Sequence, residues 1–376
     1  MQASFLLDTC VRNGIDFFTG VPDSLLKGLC NELYDRYGTA GSAHVVAHNE
    51  GGAVALCAGH YLSSGRPGLC YMQNSGLGNA VNPLASLMDP EVYSLPCLLV
   101  IGWRGEPGVS DEPQHIKQGA VTLGQLELLG IPFRILSSDT ADDSFLAMFN
   151  DLLRELNAGK TAALVVRKGA LKSCCSPDYS NNNRITRENA VRLVLASSGP
   201  DDVFVTTTGK LSREVFELRE AAGEGHERDF LTVGSMGHAS MIALQIASEK
   251  PSRRVWCLDG DGASLMHLGA FPLIGNKHPA NLVHVVINNG SHETVGGMPV
   301  CSGGMNIHAF AEASGYPVIL TAGSENALTE VLQKASGIRN GPVLIEIRCA
   351  CGSRSDLGRP TTTPAMNRDA FMSFLK

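Results

Sequence analysis

The chain has 376 residues and a formal net charge of -7, with 44% hydrophobic and 18% charged residues. These values are typical of a globular protein long enough for two domains, and the acidic balance argues against a nucleic-acid partner. No apolar run reaches the length of a membrane-spanning helix, so we expect no membrane partner. The 11 cysteines lack the spacing of a disulfide framework or a zinc site, which favours reduced thiols in the cytoplasm.

Strand and helix patterns alternate along the first part of the chain. The predicted strands are 16–20, 43–47, 68–72, 95–102, 131–136 and 162–167. Helices are predicted over 1–13, after 21–24, from 51, after 73–79 and over 145–157. Asp23 or Ser24 is the expected N-cap of the second of these helices. Regular alternation of this kind predicts a parallel sheet with helices packed against it.

A segment rich in serine and asparagine, residues 173–184, has the composition of a linker. We therefore predict one domain over 1–172 and another over 185–376. The second domain repeats the alternation, beginning with a helix over 186–197 that has Thr186 as its N-cap. Its predicted strands are 203–206, 230–233, 255–258, 282–287 and 342–347. Two halves of similar length favour a pair of similar α/β domains rather than a repeat array.

Two short motifs follow consecutive predicted strands, GDG at residues 260–262 and NN at residues 288–289. The carboxyl ends of parallel strands share one edge of the sheet, where such folds bind ligands. Asp261 offers a carboxylate, Asn289 an amide oxygen and Ser291 a backbone carbonyl, which together suit Mg²⁺ with bound phosphates. GDG alone would be an ordinary turn into the crossover helix, which is predicted over 263–275. The pairing of both motifs at one sheet edge favours a binding site.

This pair of motifs resembles the diphosphate-binding signature of thiamin-diphosphate enzymes. The resemblance implies thiamin diphosphate and Mg²⁺ as cofactors, with Asp261, Asn289 and the Ser291 carbonyl as metal ligands. It also implies that the cofactor-binding residues are Glu50, Gly76, Gly209, Gly234, Met236, Gly260, Asp261, Gly262, Ala263, Ser264 and Asn289.

Glu50 is the candidate for the glutamate that these enzymes place against the aminopyrimidine ring of the cofactor. It follows a predicted strand and precedes two glycines in a lightly charged neighbourhood. In the family, the hydrogen bond from this glutamate helps the cofactor to reach its nucleophilic ylid form. By itself, a glutamate at this position would be interpreted as a helix N-terminal residue that interacts with the helix dipole. The GDG–NN pair in the same chain favours the catalytic role.

The segment 234–237, Gly-Ser-Met-Gly, is the candidate for the turn that bends the cofactor. In the family, a bulky apolar side chain lies under the bend and a backbone carbonyl binds the cofactor amine. Met236 has a suitable size and adaptability, and Gly234 would supply the carbonyl. Without the resemblance, a core methionine at the start of a helix is an equally good interpretation.

A polar loop that contains prolines is predicted over 103–115, after the strand 95–102. Loops of this kind carry function when a scaffold holds them, and His115 could donate a proton at neutral pH. A surface histidine in a polar loop is the alternative interpretation. The position of the loop at the same sheet edge as Glu50 favours an acid/base role.

Motifs along nearly the whole chain resemble the subgroup of these enzymes that decarboxylates phosphonopyruvate and sulfopyruvate. The motifs lie at 20–27, 49–51, 74–79, 102–119, 234–238, 260–262, 288–289 and 353–360. The resemblance implies two doubly wound parallel-sheet α/β domains, pyrimidine-binding and then diphosphate-binding, without the middle domain of larger relatives. The sequence also lacks the paired histidines of pyruvate decarboxylase, which leaves His115 as a single acid/base candidate.

The activity implied by the resemblance is the non-oxidative decarboxylation of a 2-oxo acid, 3-phosphonopyruvate, to phosphonoacetaldehyde and CO₂. This step belongs to phosphonate biosynthesis of the 2-aminoethylphosphonate type. A sulfopyruvate decarboxylase and another thiamin-diphosphate decarboxylase or carboligase remain alternatives. A binding protein without activity is a further alternative, against which Glu50 and the GDG–NN pair argue. The single fused chain and the full loop after residue 102 favour the phosphonate.

The sequence does not decide which residues would bind the phosphonate group. The candidates are Ser24, Lys27, Arg104, Lys210, Arg354 and Arg359. In this family the cofactor spans the first domain of one subunit and the second domain of another. The resemblance therefore implies a homodimer or a larger homo-oligomer with active sites at the subunit interface.

Overall fold

The computed structural model describes residues 1–39, 41–301 and 305–376. Residue contacts divide the chain into two compact units. The first unit contains Met1–Asp178 and Val295–Cys301, and the second contains Tyr179–Thr294 and the described part of Ser302–Lys376. The division after residue 178 falls inside the predicted linker. The domain limits predicted from the sequence remain a proposal.

The first unit is built on one parallel sheet. Within its described residues the strands are β1 (Phe18–Gly20), β2 (His44–Val46), β3 (Gly68–Gln73), β4 (Cys97–Gly102), β5 (Phe133–Leu136) and β6 (Ala162–Val166). The helices there are α1 (Ala3–Arg12), α2 (Lys27–Tyr37), α3 (Glu50–Ser64), α4 (Leu77–Ser86), α5 (Pro113–Leu128) and α6 (Asp142–Asn157). The strand order across the sheet is β2-β1-β3-β4-β6-β5, and every adjacent pair is parallel. A 3-10 turn, Asn74–Gly76, leads from β3 into α4.

The second unit repeats this architecture. Its strands, in the part that the structure describes, are β7 (Val203–Thr206), β8 (Asp229–Leu231), β9 (Val255–Gly260), β10 (Leu282–Asn288), β11 (Val318–Ala322) and β12 (Val343–Arg348). The helices of that part are α7 (Arg187–Ala196), α8 (Lys210–Ala221), α9 (Ala239–Glu249), α10 (Asp261–Met266), α11 (Ala270–Lys277), α12 (Ile307–Ala313), α13 (Glu325–Ser336) and α14 (Pro364–Leu375). The strand order is β11-β12-β10-β9-β7-β8, again with parallel pairs. A 3-10 turn, Glu293–Val295, follows β10.

Both sheets are covered on their two faces, which is why their central strands read as continuous apolar runs. All six residues of β4 are buried. In β10, Val283 and Val285 pack into the core on one face of the sheet, whereas Leu282 and Val286 pack into the core on the other. The predicted fold class, two doubly wound parallel-sheet α/β units without a middle domain, is confirmed.

The start of the second helix differs from the prediction. Helix α2 begins at Lys27, and neither Asp23 nor Ser24 is its N-cap. Asp23 is instead fully buried, and its carboxylate accepts hydrogen bonds from Gln73 Nε2 at 2.6 Å and from the amide of Leu25 at 3.1 Å. A buried carboxylate with these donors has no need of the helix amides. The predicted cap of α7 is correct, since Thr186 Oγ1 accepts from the amide of Asn189 at 3.2 Å.

Two further predictions were wrong. The crossover after GDG is not one helix over 263–275 but two, α10 and α11, because the backbone leaves the helical region at His267 (φ -134°, ψ 55°). The segment 103–115 is not a loop to its end, since α5 begins at Pro113 and contains His115 in its first turn. Proline suits the first position of a helix, where its missing N–H costs nothing.

Among the residues that the structure describes, no helix combines the length and the apolar character needed to cross a bilayer.

Candidate active site

Glu50 lies at the carboxyl edge of the first sheet, as the first residue of α3 after the loop that follows β2. The side chain of Asn49 caps this helix by accepting from the amide of Gly52 at 2.7 Å. Glu50 is only 5% exposed, and its Oε2 accepts from Asn79 Nδ2 at 2.8 Å. Burial raises the pKa of the Glu50 carboxyl, and the bond from Asn79 offsets part of that effect. A carboxyl group that retains its proton in this way can donate a hydrogen bond to a ring nitrogen.

Gly76, a predicted cofactor-binding residue, is packed directly against Glu50. A Cβ atom at this position would lie 2.6 Å from both Cδ and Oε1 of Glu50. A Cβ atom does not approach a non-bonded atom that closely in proteins, so a side chain at residue 76 would displace the Glu50 carboxyl group. The glycine therefore allows the 3-10 turn after β3 to approach Glu50 closely.

A second set of polar residues links the ends of β3 and β4 in the same unit. Asn74 Nδ2 donates to the Arg104 carbonyl at 2.8 Å, and Asn74 Oδ1 accepts from the Arg104 amide at 3.1 Å. The Arg104 guanidinium forms a two-pronged ion pair with Asp111, in which Nε lies 2.8 Å from Oδ2. Its third donor, NH1, is 2.8 Å from Ser24 Oγ. The structure thus brings two of the six substrate candidates, Ser24 and Arg104, into contact.

Asp111 was not singled out from the sequence, although it holds Arg104. Burial alone would raise the pKa of Asp111, but hydrogen bonds from Arg104 and from two backbone amides hold it well below its usual range. The pair is therefore ionised across the neutral pH range. The guanidinium is fixed in direction, because two of its donors point at the carboxylate.

His115 lies in the first turn of α5 and is 8% exposed. Burial, assisted by the nearby charge of Arg104, lowers the pKa of its imidazole to about 4. Its Nδ1 atom is buried and has no hydrogen-bond partner among residues 1–39, 41–301 and 305–376. The imidazole is consequently neutral at pH 7 in the protein without substrate, and its predicted acid/base role stays a prediction.

The two motifs of the second unit meet at the carboxyl ends of β9 and β10. Asp261 Oδ1 accepts from the amide of Gly262 at 2.8 Å, and Asp261 Oδ2 accepts from the amide of Gly290 at 2.7 Å. The GDG motif is therefore hydrogen-bonded directly to Gly290, the residue that follows NN. Asp261, Asn289 and Ser291 are all buried.

The chemistry of these residues fits a divalent cation. Burial raises the pKa of Asp261 to about 6, and two backbone hydrogen bonds only partly offset this effect. The Asp261 carboxylate forms no ion pair with any described residue, so a bound cation would supply the charge that its environment lacks. Asn289 Nδ2 donates to Glu293 Oε2 at 2.9 Å, and the Asn289 amide oxygen accepts from the Ser291 amide at 3.0 Å, which leaves this oxygen a second lone pair for a cation.

The Gly-Ser-Met-Gly turn over 234–237 packs against the start of α10. A Cβ atom at Gly237 would lie 3.0 Å from the Ala263 carbonyl oxygen, and the backbone of Gly237 has φ +88°. Ser235 also has a positive φ, +47°, which is uncommon for a residue with a side chain and is found mainly at functional turns. Met236, between them, is half-buried. The amide of Gly234 donates to Thr208 Oγ1 at 3.0 Å, which joins this turn to the loop after β7.

The remaining substrate candidates are placed differently. Lys27 is exposed at the first position of α2. Lys210 Nζ is 3.2 Å from Glu293 Oε1. Arg354 is paired with three carboxylates: its Nε is 2.9 Å from Glu188, and it also contacts Glu217 and Asp356. Arg359 lies exposed a few residues further along the same C-terminal stretch.

Protein-family models match both halves of the chain. The model described as the thiamine pyrophosphate enzyme N-terminal TPP binding domain matches residues 2–125, and the corresponding C-terminal TPP binding domain matches residues 207–347. The first matched range contains Glu50 and the second contains the GDG–NN pair. The class is thus that of enzymes that use thiamine pyrophosphate, another name for thiamin diphosphate.

Curated relatives narrow this class. The chain is 34% identical to phosphonopyruvate decarboxylase of Streptomyces viridochromogenes, over 96% of this chain and 92% of the relative. It is 33% identical to phosphonopyruvate decarboxylase of Streptomyces hygroscopicus, over 97% of this chain and 91% of the relative. It is 25% identical to sulfopyruvate decarboxylase of Methanosarcina acetivorans, over 89% of this chain and 88% of the relative. The chain belongs to the phosphonopyruvate decarboxylase family of thiamine pyrophosphate enzymes.

Proposed function

We propose that this enzyme decarboxylates 3-phosphonopyruvate to phosphonoacetaldehyde and CO₂. The observation that carries the proposal is the buried Glu50 carboxyl beside Gly76, in a chain that is 33–34% identical to phosphonopyruvate decarboxylases over nearly its full length. The sulfopyruvate decarboxylase relative, at 25% identity, supports the same chemistry on a sulfonate as the second candidate. The higher identity to the phosphonopyruvate enzymes favours the phosphonate.

When bound, thiamin diphosphate supplies a nucleophilic carbon and an electron sink for the loss of CO₂ from a 2-oxo acid. Asp261, Asn289 and the Ser291 carbonyl would hold Mg²⁺ and, through it, the diphosphate group. Met236 would support the bend of the cofactor, and the Gly234 carbonyl would accept from its amine. The other cofactor residues proposed in this unit are Gly209, Gly260, Gly262, Ala263 and Ser264.

Glu50 would hold a proton on its carboxyl group and donate it in a hydrogen bond to the pyrimidine nitrogen. The raised pKa of this carboxyl supports that role, since an ionised group could not donate. Asn79 Nδ2 fixes Oε2 and so leaves Oε1 free to face the ring. Gly76 would bring the backbone after β3 beside the same ring.

Ser24 and Arg104 would bind the phosphonate. Arg104 NH1 already lies 2.8 Å from Ser24 Oγ, so both donors face one place at the carboxyl edge of the first sheet. Asp111 holds the guanidinium in that direction and leaves no rotational freedom to be lost on binding. The Nδ1 atom of His115, which is buried without a partner in the described residues, would exchange a proton with the product.

The family resemblance supports a homo-oligomer for this enzyme. In the resembling family, the residue in the position of Glu50 and the residues of GDG–NN come from different subunits of one site. We propose the same arrangement here, with at least a dimer and with the 2-oxo acid bound at the subunit interface. The product, an aldehyde with a carbon–phosphorus bond, would then enter phosphonate biosynthesis.

The identity of the product tests the proposal. Phosphorus NMR of phosphonopyruvate with enzyme, Mg²⁺ and thiamin diphosphate should show its signal replaced by that of phosphonoacetaldehyde. Removal of Mg²⁺ with a chelator should abolish the conversion, because the diphosphate would lose its link to Asp261. An unchanged phosphonopyruvate signal with the complete set of cofactors would contradict the proposal.

A further inference from the structure

Glu293 is a largely buried carboxylate close to the candidate metal site, and the sequence indicated no role for it. It lies in the 3-10 turn after β10 and its side chain is 9% exposed. Its carboxylate accepts from Asn289 Nδ2 at 2.9 Å, Arg187 NH1 at 3.0 Å, Lys210 Nζ at 3.2 Å and the Gly352 amide at 3.2 Å. These donors come from four separate segments of the second unit.

The contact with Asn289 has a chemical consequence. An asparagine amide has an oxygen that accepts and a nitrogen that only donates, and a divalent cation can bind only the oxygen. A carboxylate can only accept, so Glu293 selects the orientation in which Nδ2 of Asn289 points at Glu293. The amide oxygen of Asn289 then accepts from the amide of Ser291 at 3.0 Å, and the intervening residue, Gly290, donates its amide to Asp261 at 2.7 Å.

The other contacts explain why Glu293 remains in place and is not itself a metal ligand. Arg187 and Lys210 supply the positive charges that a buried carboxylate needs. Arg187 is in turn held by two 2.7 Å bonds to Glu214, which is also buried. Both oxygens of Glu293 are thus occupied by nitrogen donors, and Lys210 is drawn towards this carboxylate.

We propose that Glu293 is a positioning residue for the divalent cation. It orients the amide oxygen of Asn289 towards the metal, and it ties this loop to Lys210 at the start of α8. The inference rests on the metal site of the proposed function but is independent of the substrate. A protein that binds Mg²⁺ and thiamin diphosphate yet leaves phosphonopyruvate intact would refute the proposed activity and leave this inference standing.

The first test is the Mg²⁺ dissociation constant, measured by titration of the apoprotein in the presence of saturating thiamin diphosphate. Loss of a residue that orients a metal ligand typically weakens metal binding by about 10–100-fold, and we expect a change in that range for Glu293→Ala. Glu293→Gln should weaken binding less, since its side-chain oxygen can still accept from Asn289. The matched control is Glu330→Ala, an exposed carboxylate on α13 of the same unit, which should leave the constant unchanged.

The second test separates positioning from a general loss of structure. In an Asn289→Asp background both side-chain atoms are oxygens, so no orientation has to be selected, and Glu293 becomes a repelling neighbour. Glu293→Gln should then strengthen Mg²⁺ binding, the opposite of its effect beside Asn289. A weakening in both backgrounds, or wild-type affinity in Glu293→Ala, would overturn the proposal. Thermal unfolding of each apoprotein identifies any variant whose fold has changed.

Discussion

Glu50 and Asp261 are both buried carboxyl groups whose pKa is raised by burial, yet their surroundings suit opposite uses. Burial raises the pKa of Glu50, and its side-chain partner is the neutral amide of Asn79, which suits the proposed role of proton donor. The Asp261 carboxylate accepts from the amides of Gly262 and Gly290, and a bound cation would stabilise its ionised form. At the scale of single residues, environment rather than residue type separates the proposed proton donor from the proposed metal ligand.

The role of Glu50 predicts a specific loss of activity. Glu50→Gln keeps the size of the side chain but removes its acidic proton, so kcat for decarboxylation should fall by on the order of 100-fold or more. The dissociation constant of thiamin diphosphate, measured by titration of the apoprotein, should change much less. The exposed carboxylate Glu91 provides the control substitution Glu91→Gln. Activity of Glu50→Gln within a few-fold of wild type would contradict the assignment.

The buried imidazole of His115 predicts a pH dependence of stability. Its pKa is about 4 in the folded protein against an ordinary value of 6.5, so between these values the unfolded state binds more protons. The free energy of unfolding should therefore fall as pH decreases from 6.5 to 4. Urea unfolding of the apoprotein should show a smaller fall for His115→Gln than for wild type. Equal pH dependence in both proteins would show that the imidazole is not held neutral.

At the scale of elements, the described strands other than β11, which the sequence analysis missed, and the positions of the motifs at the strand ends could be predicted from the sequence. Parallel strands that are covered on both faces are apolar throughout, so strands such as β4 and β10 can be recognised in the sequence as continuous apolar runs. Helix α5 was missed because it buries only His115, Gly119, Thr122 and Leu126 and so lacks an apolar stripe. The break between α10 and α11 depends on packing that no local pattern records.

The residues of the candidate site likewise divide into those that the sequence predicts and those that only the structure shows. Glu50, Asp261 and Asn289 could be predicted because the spacing and strand context of their motifs are specific. The partners Asn79, Asp111 and Glu293 could not, because each meets its neighbour through side-chain directions that are set by loop conformation. The choice among the six phosphonate candidates likewise needed the contact between Ser24 and Arg104.

The turn between β3 and α4 predicts a further effect. Gly76→Ala would place a methyl group against the Glu50 carboxyl, with an expected cost of about 1–3 kcal/mol in stability or an equivalent displacement of Glu50. Thermal unfolding and kcat should both be lowered. Gly124→Ala, at an open position inside α5, is the matched control and should be neutral or stabilising. Full activity and stability of Gly76→Ala would mean that the close approach is not required.

At the scale of the whole molecule, each unit carries one part of the proposed machinery. The first unit contains Glu50 and the Ser24–Arg104 pair, and the second contains Asp261, Asn289 and the turn with Met236. The chain has no middle domain between them, so the two sheets account for both cofactor-binding halves. The proposed oligomer combines halves from different subunits.

That proposal predicts complementation. Glu50→Gln and Asp261→Ala proteins should each be inactive, whereas a mixture allowed to exchange subunits should regain activity. If the assembly is a dimer with random exchange, about a quarter of all sites would be intact. Decarboxylation before and after exchange is the measurement, with each variant treated alone as the control. A mixture as inactive as its components would place Glu50 and Asp261 of one site in the same subunit.

The most direct test of the proposed function is CO₂ release from phosphonopyruvate, sulfopyruvate and pyruvate, measured side by side with Mg²⁺ and thiamin diphosphate present. We predict a kcat/KM for phosphonopyruvate on the order of 100-fold above that for pyruvate, because pyruvate lacks the second anionic group that Ser24 and Arg104 would bind. Sulfopyruvate should be the poorer of the two substrates that carry a second anionic group. A preference for sulfopyruvate, or no CO₂ from any of the three with cofactor bound, would contradict the proposal.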